Sequence, residues 1–230
     1  MKITQKLLLN WIYMLCFFGG FINTISVVKY SYTVSHFTGN ISKTAIKISE
    51  GDFLEVFKIL FIVICFILGS TVSGFLVEGR EFDLKRRYGY SMFSLGVGLL
   101  ILYCFAKDSY LFFYYLPFMM GVQNGLFISY DGVVVRTTHI SGSVTDAGVY
   151  LGHCLKGRKE DKWKGLFCLY MIVTFLLGGF LGVECYAIFK EKVFILAGFG
   201  YIGIAGVYFY LRRRYKKLLK KEIVIEQKKS

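Results

Sequence analysis

Six apolar stretches, each about 20 residues long and free of charged side chains, dominate this sequence. They cover residues 7–28, 59–77, 88–106, 109–130, 165–183 and 193–211. A helix that crosses the hydrocarbon core of a bilayer needs about 20 apolar residues. The chain is also 55% hydrophobic, which exceeds the share found in soluble domains. The sequence therefore predicts an all-α integral membrane protein with six transmembrane helices.

The positions of Lys and Arg predict how these helices are oriented. Basic residues are concentrated before the first stretch, in the second and fourth loops, and in the tail that begins at Arg212. Under the positive-inside rule, both termini lie in the cytoplasm and the protein is a multi-pass protein of the cell (inner, cytoplasmic) membrane. The net charge of +13 is thus explained by topology, and we expect no nucleic-acid partner. The tail could also contact anionic lipid, although a role as a topogenic anchor is favoured.

Two similar segments, residues 20–43 and 121–146, divide the chain into halves. Each begins with Gly-x-x-Asn and later reaches His-x-(Thr/Ser)-Gly-(Asn/Ser), with its histidine at His36 or His139. Each half contains three apolar stretches, an odd number, so the second half should be inverted relative to the first. We therefore expect a 3+3 inverted repeat. Its parts are a first repeat over 1–108, a second over 109–211 and a basic cytoplasmic tail over 212–230.

Both segments are expected to interrupt a helix and start a new one. Gly39 and Gly142 suit a sharp turn, and Asn40 and Ser143 suit N-caps, so new helices should begin near residues 41 and 144. A helix N-terminus attracts anions through its free N–H groups and its dipole. Two interpretations stay open: the N-termini line a polar cavity, or the helices are capped at the interface with only a structural role.

The polar residues of the two segments are the candidates for a solute path. Amides within spans either join helices or contact a solute, and histidines can titrate near neutral pH. Arg136 could bind a carboxylate or phosphate, or could be one more topogenic charge. The candidates are Asn23, His36, Thr38, Asn40, Gln123, Asn124, Arg136, Thr137, Thr138, His139, Ser141, Ser143 and Asp146.

This combination of motifs resembles the YoaK-like family of uncharacterised six-span bacterial membrane proteins. The resemblance rests on SHFTGN at residues 35–40, on Gly-x-Gln-Asn at 121–124, and on Arg-Thr-Thr at 136–138 leading to Asp-Ala-Gly at 146–148. The family usually has Asp-Ala near Asn23-Thr24 and Thr-Gly-Thr at residues 141–143. The first departure removes a carboxylate. The resemblance implies a multi-pass membrane protein and supplies no biochemical activity.

The leading functional hypothesis is a small-solute transporter or channel-like permease, with its polar path between residues 23–40 and 124–146. The alternative is a non-transporting membrane scaffold or accessory subunit. The expected partners are the lipid bilayer and a small polar or anionic solute, and a homo-oligomer is left open. The six cysteines lack metal-ligand spacing and no catalytic motif is present, so we expect no enzyme, catalytic residue, metal or cofactor.

Overall fold

The computed structural model describes residues 3–77, 85–126, 129–130 and 133–227. Nearly all of these residues are helical, as predicted. The helices are α1 (Ile3–Tyr30), α2 (Phe37–Ser49), α3 (Phe53–Leu76), α4 (Arg86–Ala106), α5 (Tyr110–Gly125), α6 (Ile140–Leu155), α7 (Lys162–Phe189) and α8 (Val193–Gln227). Two short strands, β1 (Ser129–Tyr130) and β2 (Val133–Val134), pair antiparallel between α5 and α6.

Four stretches of the described helices are long and apolar enough to cross a membrane: Leu8–Tyr30, Phe53–Leu76, Arg86–Ala106 and Lys159–Lys217. The last stretch contains α7 and most of α8, which are separated by a turn at Lys190 with a positive φ of 52°. Helix α5 has only 16 residues, because it ends at Gly125 and not near residue 130 as predicted. Part of the missing length, residues 127–128, lies outside the described residues.

The surface of the bundle is apolar, as expected for helices that face lipid. Phe75 and Phe105 are 83% and 86% exposed, and many other large apolar side chains are half exposed. Soluble monomers rarely expose apolar surface on this scale. The large aromatic side chains that are fully buried instead lie between the helices: Trp11, Phe112, Phe194, Tyr201 and Tyr208.

The pattern of helix contacts stays the same when each helix is replaced by its equivalent in the other half of the chain. Helix α1 packs mainly against α7, and α3 packs mainly against α5. Helix α4 packs against α8, and the smaller contact of α1 with α8 corresponds to that of α5 with α4. The two halves are therefore interleaved, with each contributing one helix to every one of these pairs.

Glycines permit the closest of these contacts. The four with the tightest backbone contacts place their Cα atoms against a carbonyl oxygen of the neighbouring helix, where an added Cβ would lie closer than 2.5 Å to that oxygen. The pairs are Gly20 with Phe175, Gly121 with Phe66, Gly178 with Phe17, and Gly69 with Phe118. Small residues at such positions let helix backbones approach closely. The first two pairs occupy equivalent places in the two halves, as do the last two.

The order of contacts along the chain gives the helix directions. Helices α1 and α7 run the same way, because Cys16 contacts Met171 and Lys29 pairs with Glu191 near the opposite end. Helices α3 and α5 also run the same way, as shown by the contacts Phe61–Tyr114 and Ser73–Val122.

The remaining pairs run in opposite directions. For α4 with α8, the contacts that show this are Gly89–Phe209 and Gly96–Gly198. For α1 with α8, they are Trp11–Ile204 and Lys29–Phe194. For α4 with α5, they are Leu95–Tyr115 and Tyr103–Phe112. Helices α1, α4 and α7 therefore share one direction, and α3, α5 and α8 share the other.

The glycine contacts give a stability prediction. Gly178→Ala should lower the free energy of unfolding by about 1–3 kcal/mol, because the new methyl group must displace the backbone of α1 at Phe17. Gly203→Ala is the matched control in α8, where no atom lies within 4 Å of the added Cβ. It should leave stability unchanged or raise it by up to about 1 kcal/mol. Thermal unfolding of the purified protein in detergent measures both, and equal effects would contradict the packing assignment.

Candidate functional site

The two short helices begin earlier than the sequence predicted. Helix α2 starts at Phe37 and α6 at Ile140, so the N-cap positions belong to His36 and His139. The predicted starts near residues 41 and 144 are therefore wrong, and so is the prediction of N-caps at Asn40 and Ser143. Gly39 and Gly142 lie within the first turns of the helices. Neither histidine side chain makes a capping hydrogen bond.

The Asn40 side chain binds Thr33 in the preceding segment and does not cap a helix. Its Nδ2 donates to the carbonyl oxygen of Thr33 at 2.9 Å, and the Thr33 hydroxyl donates to Asn40 Oδ1 at 3.1 Å. Ser143 similarly points back along its own helix, where its hydroxyl lies 3.4 Å from the carbonyl oxygen of His139. Asn40 and Ser143 therefore lie inside α2 and α6, where their side chains stabilise the first turns of these helices.

Asn23 and Asn124 hold the chain just before each of these helices. Asn23 Oδ1 accepts hydrogen bonds from the backbone N–H groups of Val34 (3.0 Å) and Ser35 (3.2 Å) and from the Ser35 hydroxyl (3.0 Å). Asn124 Oδ1 accepts from the N–H of Thr138 at 3.1 Å, and its Nδ2 donates to the Thr138 hydroxyl at 2.5 Å. Ser35 and Thr138 each precede the N-cap histidine, so the two asparagines make equivalent contacts.

Gln123 adds a polar network that exists only in the second half. Its Nε2 donates to the carbonyl oxygen of Leu15 (3.0 Å) and to the Thr137 hydroxyl (2.6 Å), and its Oε1 accepts from the Tyr201 hydroxyl. The side chain is fully buried. The corresponding residue of the first half is Ile22. Gln123 and Thr137 therefore join α1, α5, α8 and the loop, and do not face a solute.

The N-terminal ends of α2 and α6 open into one cavity of about 600 Å³. Its lining comes from both repeat segments, from α3 and from the end of α5: Ser35, His36, Phe37, Thr38, Gly39, Phe66, Ser70, Asn124, Gly125, Arg136, His139 and Ser141. Helix α2 leads into α3 and α6 leads into α7, and α3 and α7 run in opposite directions. The two short helices therefore leave the cavity toward opposite ends of the bundle.

The described lining residues of this cavity include cationic and titratable basic groups and no carboxylate. Arg136 is exposed, and its guanidinium has no hydrogen-bond or ion-pair partner among the described residues. The two helix N-termini add unpaired N–H groups and the positive ends of their dipoles. Together these groups can hold an anion or a strong hydrogen-bond acceptor.

His36 is the titratable group whose environment is most altered within this cavity. It lies between α1 and α2, outside the candidate spans. Burial lowers the pKa of His36 below its ordinary value of 6.5, and the electrostatic effect of the neighbouring His139 lowers it further. Its Nδ1 lies 3.0 Å from the Ser35 hydroxyl, and its ring meets Phe175 edge-on. His36 is therefore neutral near pH 7.

The structure separates the candidate residues into two groups. Six line the cavity: His36, Thr38, Asn124, Arg136, His139 and Ser141. The others lie outside its lining: Asn23, Asn40, Gln123, Thr137 and Thr138 hold the loops, while Ser143 and Asp146 lie further along α6.

Sequence reasoning missed Phe66 and Ser70, which line the cavity from α3. The signal near them was the adjacent Gly69-x-x-x-Ser73 pattern, which indicates close packing of α3 on another helix. The Ser70 hydroxyl lies 3.3 Å from the carbonyl oxygen of Gly121. Elsewhere among the described residues, no group of three or more His, Cys, Asp and Glu side chains could hold a metal ion.

Comparison with known proteins gives one family match. The model of a family described as "Protein of unknown function (DUF1275)" matches residues 11–207, which include both repeat segments. No curated protein and no solved structure matches the chain. The narrower YoaK-like name stays an expectation from the motifs.

The asparagine contacts predict paired local effects. Asn23→Ala should speed amide hydrogen exchange at Val34 and Ser35, because their N–H groups lose their acceptor. It should leave Thr138 unchanged, whereas Asn124→Ala should do the reverse. The cost for each unsatisfied buried donor is about 1–3 kcal/mol. Hydrogen–deuterium exchange read by mass spectrometry makes each variant the control for the other. If both variants changed both segments equally, the local assignment would be wrong.

Proposed function

We propose that this chain, which belongs to the DUF1275 family, is a small-solute transporter or channel-like permease of a cell membrane, and that its solute is a small anion. One observation carries the proposal: the two matched segments meet at a single cavity of about 600 Å³ whose described lining holds Arg136, His36 and His139 without a carboxylate. Small-molecule sites commonly have volumes of about 300–1,000 Å³ with a few convergent polar groups.

In this proposal, six helices cross the membrane as a 3+3 inverted repeat. The crossing helices are α1, α3 and α4 in the first half and α5, α7 and α8 in the second. Their directions alternate along the chain, so the second half is inverted relative to the first. Both termini are cytoplasmic, where most Lys and Arg would then lie.

Helix α5 needs an extension to complete its crossing. Its 16 residues span about 24 Å, which is short of a hydrocarbon core of about 30 Å. The irregular segment that follows has Val133 and Val135 buried within the protein. Non-helical backbone is tolerated at membrane depth where it is buried in protein or lines a cavity.

The short helices α2 and α6 supply the proposed solute site. Their N-termini face one cavity while their C-terminal ends lead to opposite ends of the bundle. Inverted-repeat transporters hold anionic groups at such interrupted helices, where positive dipole ends converge. Here Arg136 would pair with the anion, and the two histidines would donate hydrogen bonds to it. Alternating exposure of the cavity to the two sides would then move the solute.

The second candidate is a non-transporting membrane scaffold or accessory subunit. A specific observation favours it: Asn23, Gln123 and Thr137 make internal hydrogen bonds, and the matched glycines serve packing. These features would be needed without any solute. The groups that distinguish the candidates are Arg136 and the histidines, because the Arg136 guanidinium has no partner among the described residues.

The test of this proposal is anion-dependent stabilisation of the purified full chain. Acetate, phosphate, sulfate and nitrate are compared with uncharged glycerol at fixed ionic strength in a thermal-shift assay. At least one anion should raise Tm, and Arg136→Gln should weaken its apparent affinity roughly tenfold or more, since a charge-assisted pair is lost. Arg158→Gln removes an equal charge from an exposed loop and should behave as the unchanged protein.

Two results would oppose the transport proposal. Equal anion responses in Arg136→Gln and Arg158→Gln would remove the proposed site. Specific binding without anion flux in proteoliposomes would favour the accessory-subunit role, because a scaffold need not release its ligand across the membrane.

The proposed site also predicts a dependence on pH. In the free protein, the lowered pKa of His36 means that the native state binds a proton at His36 less readily than the unfolded chain does. Stability without anion should therefore fall as pH drops below about 6.5. A bound anion favours protonated His36, so anion affinity should rise between pH 7.5 and pH 5.5. The variant His36→Gln should flatten that rise, whereas His153→Gln, outside the cavity, should keep it. A rise that persists unchanged in His36→Gln would exclude His36 as its source.

A further inference from the structure

A second polar cavity, of about 510 Å³, lies between the beginning of α4 and the later part of α8. It shares no lining residue with the proposed solute site. Its lining is basic and aromatic: Arg86, Tyr90, Phe209, Arg212, Arg213, Lys216 and Lys217. The residues from α8 recur every three or four positions, so they form one face of that helix.

The packing of α4 on α8 brings these basic residues together. An added Cβ at Gly89 would lie 2.6 Å from Phe209 Cζ and 2.9 Å from Tyr208 Cδ1, so a larger residue would require these two side chains to shift. The Tyr208 hydroxyl also donates to the carbonyl oxygen of Lys85 at 2.7 Å. The approach of Arg86 to the α8 cations is therefore fixed by the helix packing and not by long, mobile side chains alone.

The electrostatics of this groove call for an anion. Five cationic side chains line it, and none of its described lining residues is a carboxylate. Arg212 already has an interaction partner, and the other four gather positive charge that a bound anion would offset. Arginine suits a phosphate as the counter-charge, because its planar guanidinium can bind phosphate through two parallel N–H donors.

An exposed apolar surface lies beside the basic groove. Tyr90, Phe93, Val207 and Tyr210 are 56%, 46%, 36% and 61% exposed on the same two helices. Aromatic side chains of this kind mark the boundary between the apolar core and the headgroup region of a bilayer. A ligand that matches both parts has an anionic head and an apolar tail.

We infer that this groove binds the headgroup of an anionic phospholipid. Its phosphate lies between Arg86 and Arg213, with Lys216 and Lys217 around it, and its acyl chains follow the exposed apolar surface of α4 and α8. This lipid site is independent of the proposed solute site. It gives part of the basic tail a binding role beyond fixing the topology.

The test uses the purified full chain and native mass spectrometry to count retained lipids. Phosphatidylglycerol and phosphatidylcholine with identical acyl chains are compared at equal concentration. The unchanged protein should retain phosphatidylglycerol preferentially. Arg86→Gln/Arg213→Gln should weaken that binding roughly 10- to 30-fold, since each basic residue near an anionic surface contributes about a fivefold factor. The variant keeps most of the neighbouring basic residues, so the topogenic charge is largely preserved.

A matched control removes the same number of charges from the opposite ends of the same helices. Lys107→Gln/Lys192→Gln should retain phosphatidylglycerol as the unchanged protein does, because both residues are exposed and lie outside the groove. The variant Arg86→Lys/Arg213→Lys keeps the charge without the planar fork and should bind with intermediate affinity.

Three outcomes would overturn the lipid assignment. Equal loss in the groove and control variants would mean diffuse charge attraction, and equal retention of phosphatidylcholine would mean that the headgroup charge is irrelevant. Displacement of the lipid by millimolar inorganic phosphate would assign the groove to free phosphate.

Discussion

Backbone N–H groups must find hydrogen-bond acceptors wherever a chain leaves a helix inside an apolar protein, and Asn23 and Asn124 meet that requirement here. Each asparagine lies near the end of a long helix and binds the residue before an N-cap histidine. A buried donor left without its acceptor there would cost about 1–3 kcal/mol. The asparagines thus allow the chain to turn back, start a second helix and direct its N-terminus into the cavity.

The packing framework of the two halves is nearly equivalent, but the chemistry of the cavity is not. The glycine contacts and the asparagine contacts recur in both halves. Arg136, however, occupies the place that Thr33 holds in the first half, three residues before the N-cap histidine. Thr33 is engaged with Asn40, whereas the Arg136 guanidinium has no partner among the described residues. An anion in the cavity would therefore be oriented by the second half, and the two sides of the site would be chemically distinct.

The sequence predicts the helices better than it predicts the interruptions. Uncharged apolar runs are sufficient to locate α1, α3, α4, α7 and α8, because lipid-length helices depend on composition alone. The helix starts at Phe37 and Ile140 were missed because local capping rules favour Asn40, whereas its side chain binds Thr33 across the bend. That contact depends on tertiary structure. The lining residue Ser70 was missed for a related reason, since it reaches the cavity only through the packing of α3 on α5.

The position of Arg136 bears most directly on the choice between a solute path and a scaffold. A cation within a membrane protein is costly unless it is paired or reaches water. Packing gives no reason for this residue, because the neighbouring Thr137 and Thr138 already satisfy Gln123 and Asn124. A scaffold built from the same glycine and asparagine contacts would fold as well with a neutral residue at this place. A guanidinium without a partner among the described residues, beside two helix N-termini that lack side-chain caps, is instead what a site for an anion requires.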